Sequence, residues 1–294
     1  QLASMTTTSV AALTTAQTVS LTSDQVAALT TAQAKAITVA DVAVLTSVQV
    51  ASMSTAAVAA LTTDQVVALT TAQMDKLTTG QVAALTSVQV GALETADLNK
   101  LTSDQVGAIT TASLRGLTTD QVSKLGTAQL AALTTGQLAS MTTASVAALT
   151  TDQIIGLIET QLGAFSSSQL NALSSSQVRA VEVTDLQAVL PNKLAQASTS
   201  FVQALTSTQV NALGSAQLKA LTSTQVRSLT SSQLNALDTV NLQSIDTSDI
   251  QALTKEQLTG LSSDIVNSLA ALQVRALTTS QVNSLTSTQI NNLD

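Results

Sequence analysis

An eight-residue repeat runs through the sequence without an insertion or a deletion. The stretch from Leu61 to Gln73 reads LTTDQVVALTTAQ, in which the same phrase begins twice, eight residues apart. With Leu61 as position one, every position one from Met5 to Leu293 is apolar, over 36 steps of eight. The consensus octad is Leu-Thr-Thr/Ser-x-Gln-Val/Leu-x-Ala. The fold must therefore give an apolar residue an equivalent environment once in every octad.

Neither a continuous helix nor a strand suits this period. Eight residues advance an α-helix by about 800°, so successive leucines drift by about 80° and form no apolar stripe. In a strand, positions one and six point to opposite faces because their spacing is odd. Strands also need turn residues such as glycine, and the chain has only 10 Gly and one Pro.

A helix that is interrupted once per octad accounts for each recurring residue. Thr62 and Gln65 form a capping box, in which the Thr62 hydroxyl accepts from the Gln65 N–H and the Gln65 side chain returns to the Thr62 N–H. Leu61 and Val66 flank this cap as a hydrophobic staple. Ser or Thr occupies position two in 27 of the 36 octads, so the start signal recurs along the chain. We predict the same capping for Thr70 with Gln73 and Thr222 with Gln225, and the same staple role for Leu69, Leu221 and Val226.

Helices this short are unstable alone, because nucleation fixes several dihedral angles for one hydrogen bond. A cap contributes only about 1 kcal/mol, so stability must come from stacking octads on one another, as in a solenoid. The predicted fold is all-α: a solenoid of about 36 very short capped helices, one per 8-residue repeat, over residues 1–294 as a single domain.

Two features qualify this regularity. The segment 181–204 is the least regular and is a possible junction; Leu190 occupies a cap position and Phe201 replaces the expected glutamine, so we expect these caps to be lost. A higher period of five octads, seen as related strings at Thr22, Thr62 and Thr102, reflects either the turn of the spiral or gene duplication.

Position seven differs between the two halves of the chain. It is often small or apolar in the first half and mostly polar after Asn171. If it faces outward, the first half presents an apolar stripe, which is typical of a protein contact; alternatively, a change in superhelix radius buries it in one half. The candidate self-association residues are Ala43, Ala51, Ala59, Val67, Ala83, Ala131 and Ala139.

The composition argues against catalysis and against metal or cofactor binding. The chain has no His and no Cys, which removes the usual bases, thiolates and transition-metal ligands. Seven of the 18 acids, such as Asp24, Asp64 and Asp104, lie at position four, where they favour the helix dipole. Four acids replace glutamine at position five and are expected to accept hydrogen bonds locally, and two more are alternative N-caps. We predict no enzymatic activity and no catalytic, cofactor-binding or metal site. The position-five acids are Asp41, Asp97, Asp185 and Asp249, and the alternative N-caps are Asp238 and Asp246.

The charge balance and the hydropathy pattern also limit the partners. Lys and Arg number 11 against 18 Asp and Glu, a net charge of -7, so no basic patch suits nucleic acid. No apolar run approaches the roughly 18 residues of a membrane span. We expect no nucleic acid, no membrane insertion and no small-molecule substrate, and we expect the chain to bind itself.

Two resemblances bear on function. The string LTTDQVVAL, from Leu61 to Leu69, resembles the first helix of the repeats in transcription activator-like effectors; that family's second helix and base-reading loop are absent, so DNA binding is not implied. The whole chain is similar to the octapeptide LTTxQVxA repeat regions of large bacterial surface or secreted repeat proteins. That resemblance implies export, an extracellular or cell-surface location and a structural or adhesive role.

Three functions are consistent with the sequence. The first is a structural protein that self-associates into an extracellular filament, sheath or surface layer, because open head-to-tail contacts between repeat units extend into a fibre. The second is a stalk or spacer within a large bacterial adhesin. The third is a module whose rows of hydroxyl groups bind a repetitive ligand such as ice or glycan, although many of these hydroxyls are already used as caps.

Overall fold

The computed structural model describes residues 4–291, so the predicted position-one residue Leu293 lies outside it. Within this range the structure contains 36 helices of four to six residues and no strand. Every helix begins at position three of its octad. The predicted fold class, an all-α solenoid with one short capped helix per octad, is confirmed.

The chain divides into two compact units, Gln1–Gly156 and Leu157–Asp294. The helices of the first unit are α1 Thr7–Ala11, α2 Thr15–Val19, α3 Ser23–Ala27, α4 Thr31–Ala36, α5 Val39–Val44, α6 Ser47–Ser52, α7 Thr55–Ala60, α8 Thr63–Val67, α9 Thr71–Met74, α10 Thr79–Ala84, α11 Ser87–Ala92, α12 Thr95–Leu98, α13 Ser103–Ala108, α14 Thr111–Leu114, α15 Thr119–Lys124, α16 Thr127–Ala131, α17 Thr135–Ser140, α18 Thr143–Ala147 and α19 Thr151–Ile155.

The second unit continues the same octad register. Its helices are α20 Glu159–Ala164, α21 Ser167–Asn171, α22 Ser175–Ala180, α23 Val183–Gln187, α24 Pro191–Ala195, α25 Thr199–Ala204, α26 Ser207–Ala212, α27 Ser215–Lys219, α28 Ser223–Ser228, α29 Ser231–Asn235, α30 Thr239–Ser244, α31 Thr247–Gln251, α32 Lys255–Thr259, α33 Ser263–Asn267, α34 Ala271–Ala276, α35 Thr279–Val282 and α36 Ser287–Asn291.

Two to four residues separate successive helices, and between α7 and α8 they are two extended residues. Leu61 has φ -58° and ψ 143°, and the N-cap Thr62 has φ -71° and ψ 163°. The Leu61 N–H still donates to the Val58 carbonyl over 3.2 Å, which closes the preceding helix. No residue from 4 to 291 has a positive φ, so the helices end without the left-handed residue that often terminates longer helices.

The core of each unit is formed by positions one, five and six. Leu61, Gln65 and Val66 are all buried, whereas Asp64 and Val67 are exposed. Position five is thus a polar residue inside an otherwise aliphatic interior, and a buried amide is stable only if its hydrogen bonds are satisfied.

Helices stack on the helix three places ahead. In the first unit, α4 packs on α7, α7 on α10 and α10 on α13; in the second, α22 packs on α25 and α25 on α28. Side-chain hydrogen bonds between neighbouring turns join residues 28 and 31 positions apart, as for Gln65 with Ile37 and Ala34. One turn therefore takes three to four octads. The higher period seen in the sequence spans five octads, so it does not mark the turn of the spiral.

The segment 181–204 keeps the octad period. The expected loss of caps is right for Leu190, which caps α24 only as an extended residue before Pro191. It is wrong for the octad of Phe201, because the Ser198 hydroxyl accepts from the Phe201 N–H over 3.1 Å. The division between the units falls outside this segment. That residues 1–294 form a single domain with a junction at 181–204 stays a prediction.

Candidate functional site

The feature that holds the turns together is the buried glutamine at position five, and Gln121 is representative. Its side chain is 2% exposed. Gln121 Oε1 accepts from the Thr118 N–H over 2.7 Å, which completes the cap of α15. Gln121 Nε2 donates to the carbonyl oxygens of Val90, over 2.9 Å, and Leu93, over 2.7 Å, in the preceding turn. One amide thus starts its own helix and binds the adjacent turn.

This arrangement recurs along both units, and we call it the glutamine ladder. Its members are the position-five glutamines whose Nε2 donates to a position-one carbonyl of the preceding turn, as Gln121 does to Leu93. They include Gln33, Gln49, Gln65, Gln73, Gln81, Gln89, Gln105, Gln121, Gln129, Gln137 and Gln153 in the first unit, and Gln209, Gln217, Gln225, Gln233, Gln257, Gln273, Gln281 and Gln289 in the second.

The predicted capping pairs lie at the rungs of this ladder. The Thr62 hydroxyl accepts from the Gln65 N–H over 3.2 Å, and Gln65 Oε1 accepts from the Thr62 N–H over 2.7 Å. The equivalent distances are 3.4 and 2.6 Å for Thr70 with Gln73. They are 3.3 and 2.8 Å for Thr222 with Gln225. The staple residues Leu61, Val66, Leu69, Leu221 and Val226 are all buried.

Position seven lies at the seam between one turn and the next. A Cβ placed on Gly107, at position seven, would lie 3.8 Å from the Cβ of Ala132, at position eight of the octad three places ahead. The predicted self-association residues therefore border the next turn of their own unit. Of these residues, Ala43, Ala51, Ala59 and Ala83 are half-buried, and Val67, Ala131 and Ala139 are exposed.

Sequence reasoning missed a second contact between turns, made by asparagine at position seven. Asn235 Nδ2 donates to the Gly260 carbonyl over 2.8 Å, and Asn235 Oδ1 accepts from the Ser262 N–H, also over 2.8 Å. Ser262 needs this acceptor because its octad carries Ile265 in place of glutamine. The asparagine of one turn thus caps a helix of the next.

The same replacement occurs at two other octads of the second unit. Asn171 Oδ1 accepts from the Ser198 N–H over 2.6 Å, in the octad of Phe201. Asn211 Oδ1 accepts from the Asp238 N–H over 2.8 Å, in the octad of Asn241. In all three cases the asparagine stands at position seven, four octads before the one that lacks glutamine, and this spacing is the signal that was available in the sequence.

Acids at position five interrupt the ladder. Asp41 Oδ2 accepts from the Thr38 hydroxyl over 2.5 Å, and Asp249 Oδ1 accepts from the Ser223 hydroxyl over 2.6 Å. One buried oxygen each of Asp41 and Asp185 has no hydrogen-bond partner within residues 4–291. Burial, and secondarily Glu94, raises the pKa of Asp97; burial, then Glu182 and Glu159, raises the pKa of Asp185 to about 6.

The two alternative N-caps behave differently. Asp238 Oδ1 accepts from the Asn241 N–H over 2.8 Å, as a side-chain cap does. Asp246 occupies the N-cap position of α31 without a side-chain cap hydrogen bond.

Residues 4–291 contain neither a metal-binding cluster nor a membrane-spanning helix. No group of three or more acidic, His or Cys side chains in this range is arranged to hold a metal ion. No helix there is both long enough and apolar enough to cross a membrane.

These features define a class of protein: a helical-repeat solenoid in which one octad supplies one capped helix and one rung between turns. A family model described as the ALTTAQ repeat matches residues 1–31, 34–71, 58–87, 67–95, 90–127, 122–159 and 210–244. The matches cover more than half of the chain, which therefore belongs to the ALTTAQ repeat family. The six letters occur at Ala12–Gln17, Ala28–Gln33 and Ala68–Gln73, where they span a helix break and its capping box. The curated proteins that were searched contain no match.

Proposed function

We propose that this chain is a structural, non-catalytic repeat protein that self-associates into an extracellular filament, sheath or surface layer. The observation that carries the proposal is the direction of the glutamine ladder. Each rung donates from the later turn to carbonyls of the earlier turn, as Gln121 does to Leu93. Every turn thus has a donor face and an acceptor face, and such head-to-tail surfaces pair with copies of themselves and extend into a filament when the rotation between copies does not close a ring.

Near both ends of the described range, groups of the ladder meet no partner turn within residues 4–291. Gln17 and Gln25 are exposed, and within residues 4–291 their Nε2 atoms bind no acceptor, although Oε1 of each caps its own helix. The carbonyls of Leu269 and Leu277 receive no glutamine amide from that part of the chain. A turn of the same sequence satisfies these groups, either from a second copy in a filament or from further octads in the stalk of an adhesin.

A conservative double variant tests self-association through the ladder. Gln17→Glu with Gln25→Glu keeps an oxygen that accepts the N-cap N–H and removes the Nε2 donor. Electron microscopy and sedimentation at micromolar concentration are expected to show filaments for the natural sequence and shortened or absent filaments for the variant. Ala16→Glu is the matched control, since it adds charge at an exposed position and leaves Gln17 intact.

Electron microscopy distinguishes a self-associating filament from an adhesin stalk. Filaments that the double variant weakens, and that Ala16→Glu preserves, support self-association through the ladder. Isolated rods of the natural sequence at every concentration contradict self-association of this chain, and the stalk then becomes the better proposal.

The position-seven residues are proposed to form lateral contacts between filaments. Val67 and Ala139 are exposed, so a lysine at either position is tolerated by the fold and places charge on this contact. We expect Val67→Lys with Ala139→Lys to separate bundled filaments into single ones. Ala72→Lys, at an exposed position four, is the control; equal bundling in all three proteins would exclude a position-seven contact.

A further inference from the structure

Asp185 occupies a rung of the glutamine ladder but cannot act as the other rungs do. It lies at position five of its octad and is 5% exposed. An ionised carboxylate only accepts hydrogen bonds, whereas this position faces the backbone carbonyls of the preceding turn. Its Oδ2 is buried without a partner. The carbonyl that a glutamine would bind from this rung belongs to Leu157, and no donor within residues 4–291 bonds it.

Two neutral side chains of similar size show what this position can reach. Ser113, at position five, donates its hydroxyl to the Leu85 carbonyl over 2.6 Å, in the preceding turn. Asn241, also at position five, donates Nδ2 over 2.6 Å to the Asn211 carbonyl, which is the position-seven and not the position-one carbonyl of the preceding turn. Asparagine has the size and shape of a protonated aspartic acid, and a protonated carboxyl group has an O–H to donate.

We propose that Asp185 is a proton-operated rung of the ladder. When protonated, its carboxyl group donates a hydrogen bond to the Leu157 carbonyl and joins the two turns. When ionised, it releases its proton to solvent, leaves that carbonyl without a donor and weakens the contact. The inference goes beyond the proposed function, since it applies to a single chain whether or not the chain self-associates.

The charges around Asp185 favour the protonated form. Glu182 lies at the N-cap of the same helix, and Glu159 lies on α20, which packs against α23. α26, which also packs against α23, carries no charged residue, and the cation that reaches α20 is Lys193, whose Nζ donates to the Gly163 carbonyl over 2.6 Å. Burial, Glu182 and Glu159 together raise the pKa of Asp185 from 3.8 to about 6, because each disfavours a further negative charge.

The direction of the pH effect follows from this raised pKa. The folded chain holds the proton more tightly than the unfolded chain, so acid favours the folded state. The stabilisation is fully present below the ordinary pKa of 3.8 and is lost as the pH rises through about 6. Turn stacking at Asp185 is therefore tighter at pH 5 than at pH 7.

In the first unit, Asp97 holds the equivalent position relative to Leu69, 28 residues earlier, but neither of its carboxylate oxygens is among the fully buried atoms without a partner within residues 4–291. Asp97 is also 5% exposed. Burial is the main cause that raises its pKa, and Glu94 at the N-cap of its helix is the second cause. The charged residues on or next to the helices that pack against α12 include both acids and bases. Asp120 and Lys124 lie on α15, and Asp75 and Lys76 follow α9. The two charged residues that raise the pKa of Asp185, Glu182 and Glu159, are both acidic. Asp185 is thus the better residue on which to test the proposal.

Nuclear magnetic resonance of the full chain can observe both ends of the proposed bond. Leu157 and Ile158 form the only Leu–Ile pair in the sequence, so ¹³C-carbonyl leucine with ¹⁵N-isoleucine gives one signal for the Leu157 carbonyl. Labelled aspartate carboxyl carbons, assigned with Asp185→Asn, report the titration of Asp185. We expect both signals to move with one midpoint near pH 6.

Two variants decide the outcome. Asp185→Asn donates at every pH, so the Leu157 signal is expected to stay constant between pH 5 and 7. Asp264→Asn, at an exposed position four, is expected to leave the Leu157 titration unchanged. A midpoint for Asp185 near 4, a Leu157 signal that ignores pH in the natural sequence, or one that still titrates near pH 6 in Asp185→Asn would overturn the proposal.

Discussion

Gln121 Nε2 donates to the Leu93 carbonyl oxygen over 2.7 Å, although the two residues are 28 positions apart. The same glutamine caps its own helix through Oε1. Local helix initiation and long-range stacking are therefore performed by one side chain, so each octad that forms its cap also aims a donor at the preceding turn. This coupling explains how helices of four to six residues persist in a stacked array.

Replacing Gln121 with alanine is expected to lower the stability of its helix against unfolding more than replacing Gln17 with alanine does. Gln17 is exposed and contributes a cap, worth about 1 kcal/mol. Removing Gln121 also leaves the Leu93 carbonyl without a donor, at about 1–3 kcal/mol, and takes one of two donors from the Val90 carbonyl, which still accepts from the Leu93 N–H. Amide hydrogen exchange of the affected helix measures each loss. Equal losses at the two sites would show that the bonds between turns contribute nothing.

Asn235→Ala is expected to expose the Ser262 amide to rapid hydrogen exchange, because Asn235 Oδ1 is its acceptor. Asn99→Ala is the matched control: it is also at position seven, but the corresponding N–H of the next turn, on Gly126, is already bound by Gln129. Adding Ile265→Gln to Asn235→Ala restores the consensus cap, so protection of Ser262 should return. Failure of this rescue would contradict the exchange of roles between the two side chains.

Gly116→Ala is expected to lower the melting temperature measured by circular dichroism. An added Cβ would overlap with the Ser87 carbonyl oxygen of the neighbouring turn, and forcing backbones apart in a packed region costs about 1–3 kcal/mol. Gly136→Ala is the control, since its Cβ would meet only Thr134 Oγ1, at 4.0 Å. Alanine there favours the helix by about 0.5–1 kcal/mol. If the Gly116→Ala protein were as stable as the natural one, Gly116 and Ser87 would have to lie farther apart than they do in the structure.

Thr18→Val is expected to stabilise the first unit. Thr18 is 1% exposed at position six, where valine or leucine is usual, and its hydroxyl has no partner. Valine has nearly the same shape and removes the unsatisfied group, a gain of about 1–3 kcal/mol. Urea unfolding followed by circular dichroism measures this gain in the free energy of unfolding. A loss of stability would show that the hydroxyl makes a hydrogen bond after all.

The sequence predicts the local part of this structure well and the long-range part poorly, for a physical reason. The cap at Thr62 and Gln65 depends on residues three apart, so the octad alone predicts it. The bond from Gln65 to Ile37 depends on how far the chain rotates per octad, and small dihedral differences at each break accumulate over a turn. Sequence reasoning therefore assigned Gln65 its capping role and missed its second bond.

The position-seven asparagines illustrate the same limit. Asn235 and Ile265 show a compensating pair in the sequence, but their relation becomes visible only once the distance between stacked turns is known. The five-octad period pointed to a different distance. It is compatible with gene duplication and does not describe the spiral, since contacting residues in neighbouring turns are 25 to 31 positions apart.

Disulfide trapping tests the central claim, that each turn stacks on the octads three places ahead. The chain has no cysteine, and a Cβ on Gly107 would lie 3.8 Å from the Ala132 Cβ, a separation that suits a disulfide. Gly107→Cys with Ala132→Cys is expected to form an intramolecular disulfide under mild oxidation. Gly107→Cys with Ala148→Cys, the pair that a five-octad turn would bring together, is expected to stay reduced. Cross-linking of the second pair instead of the first would contradict the account.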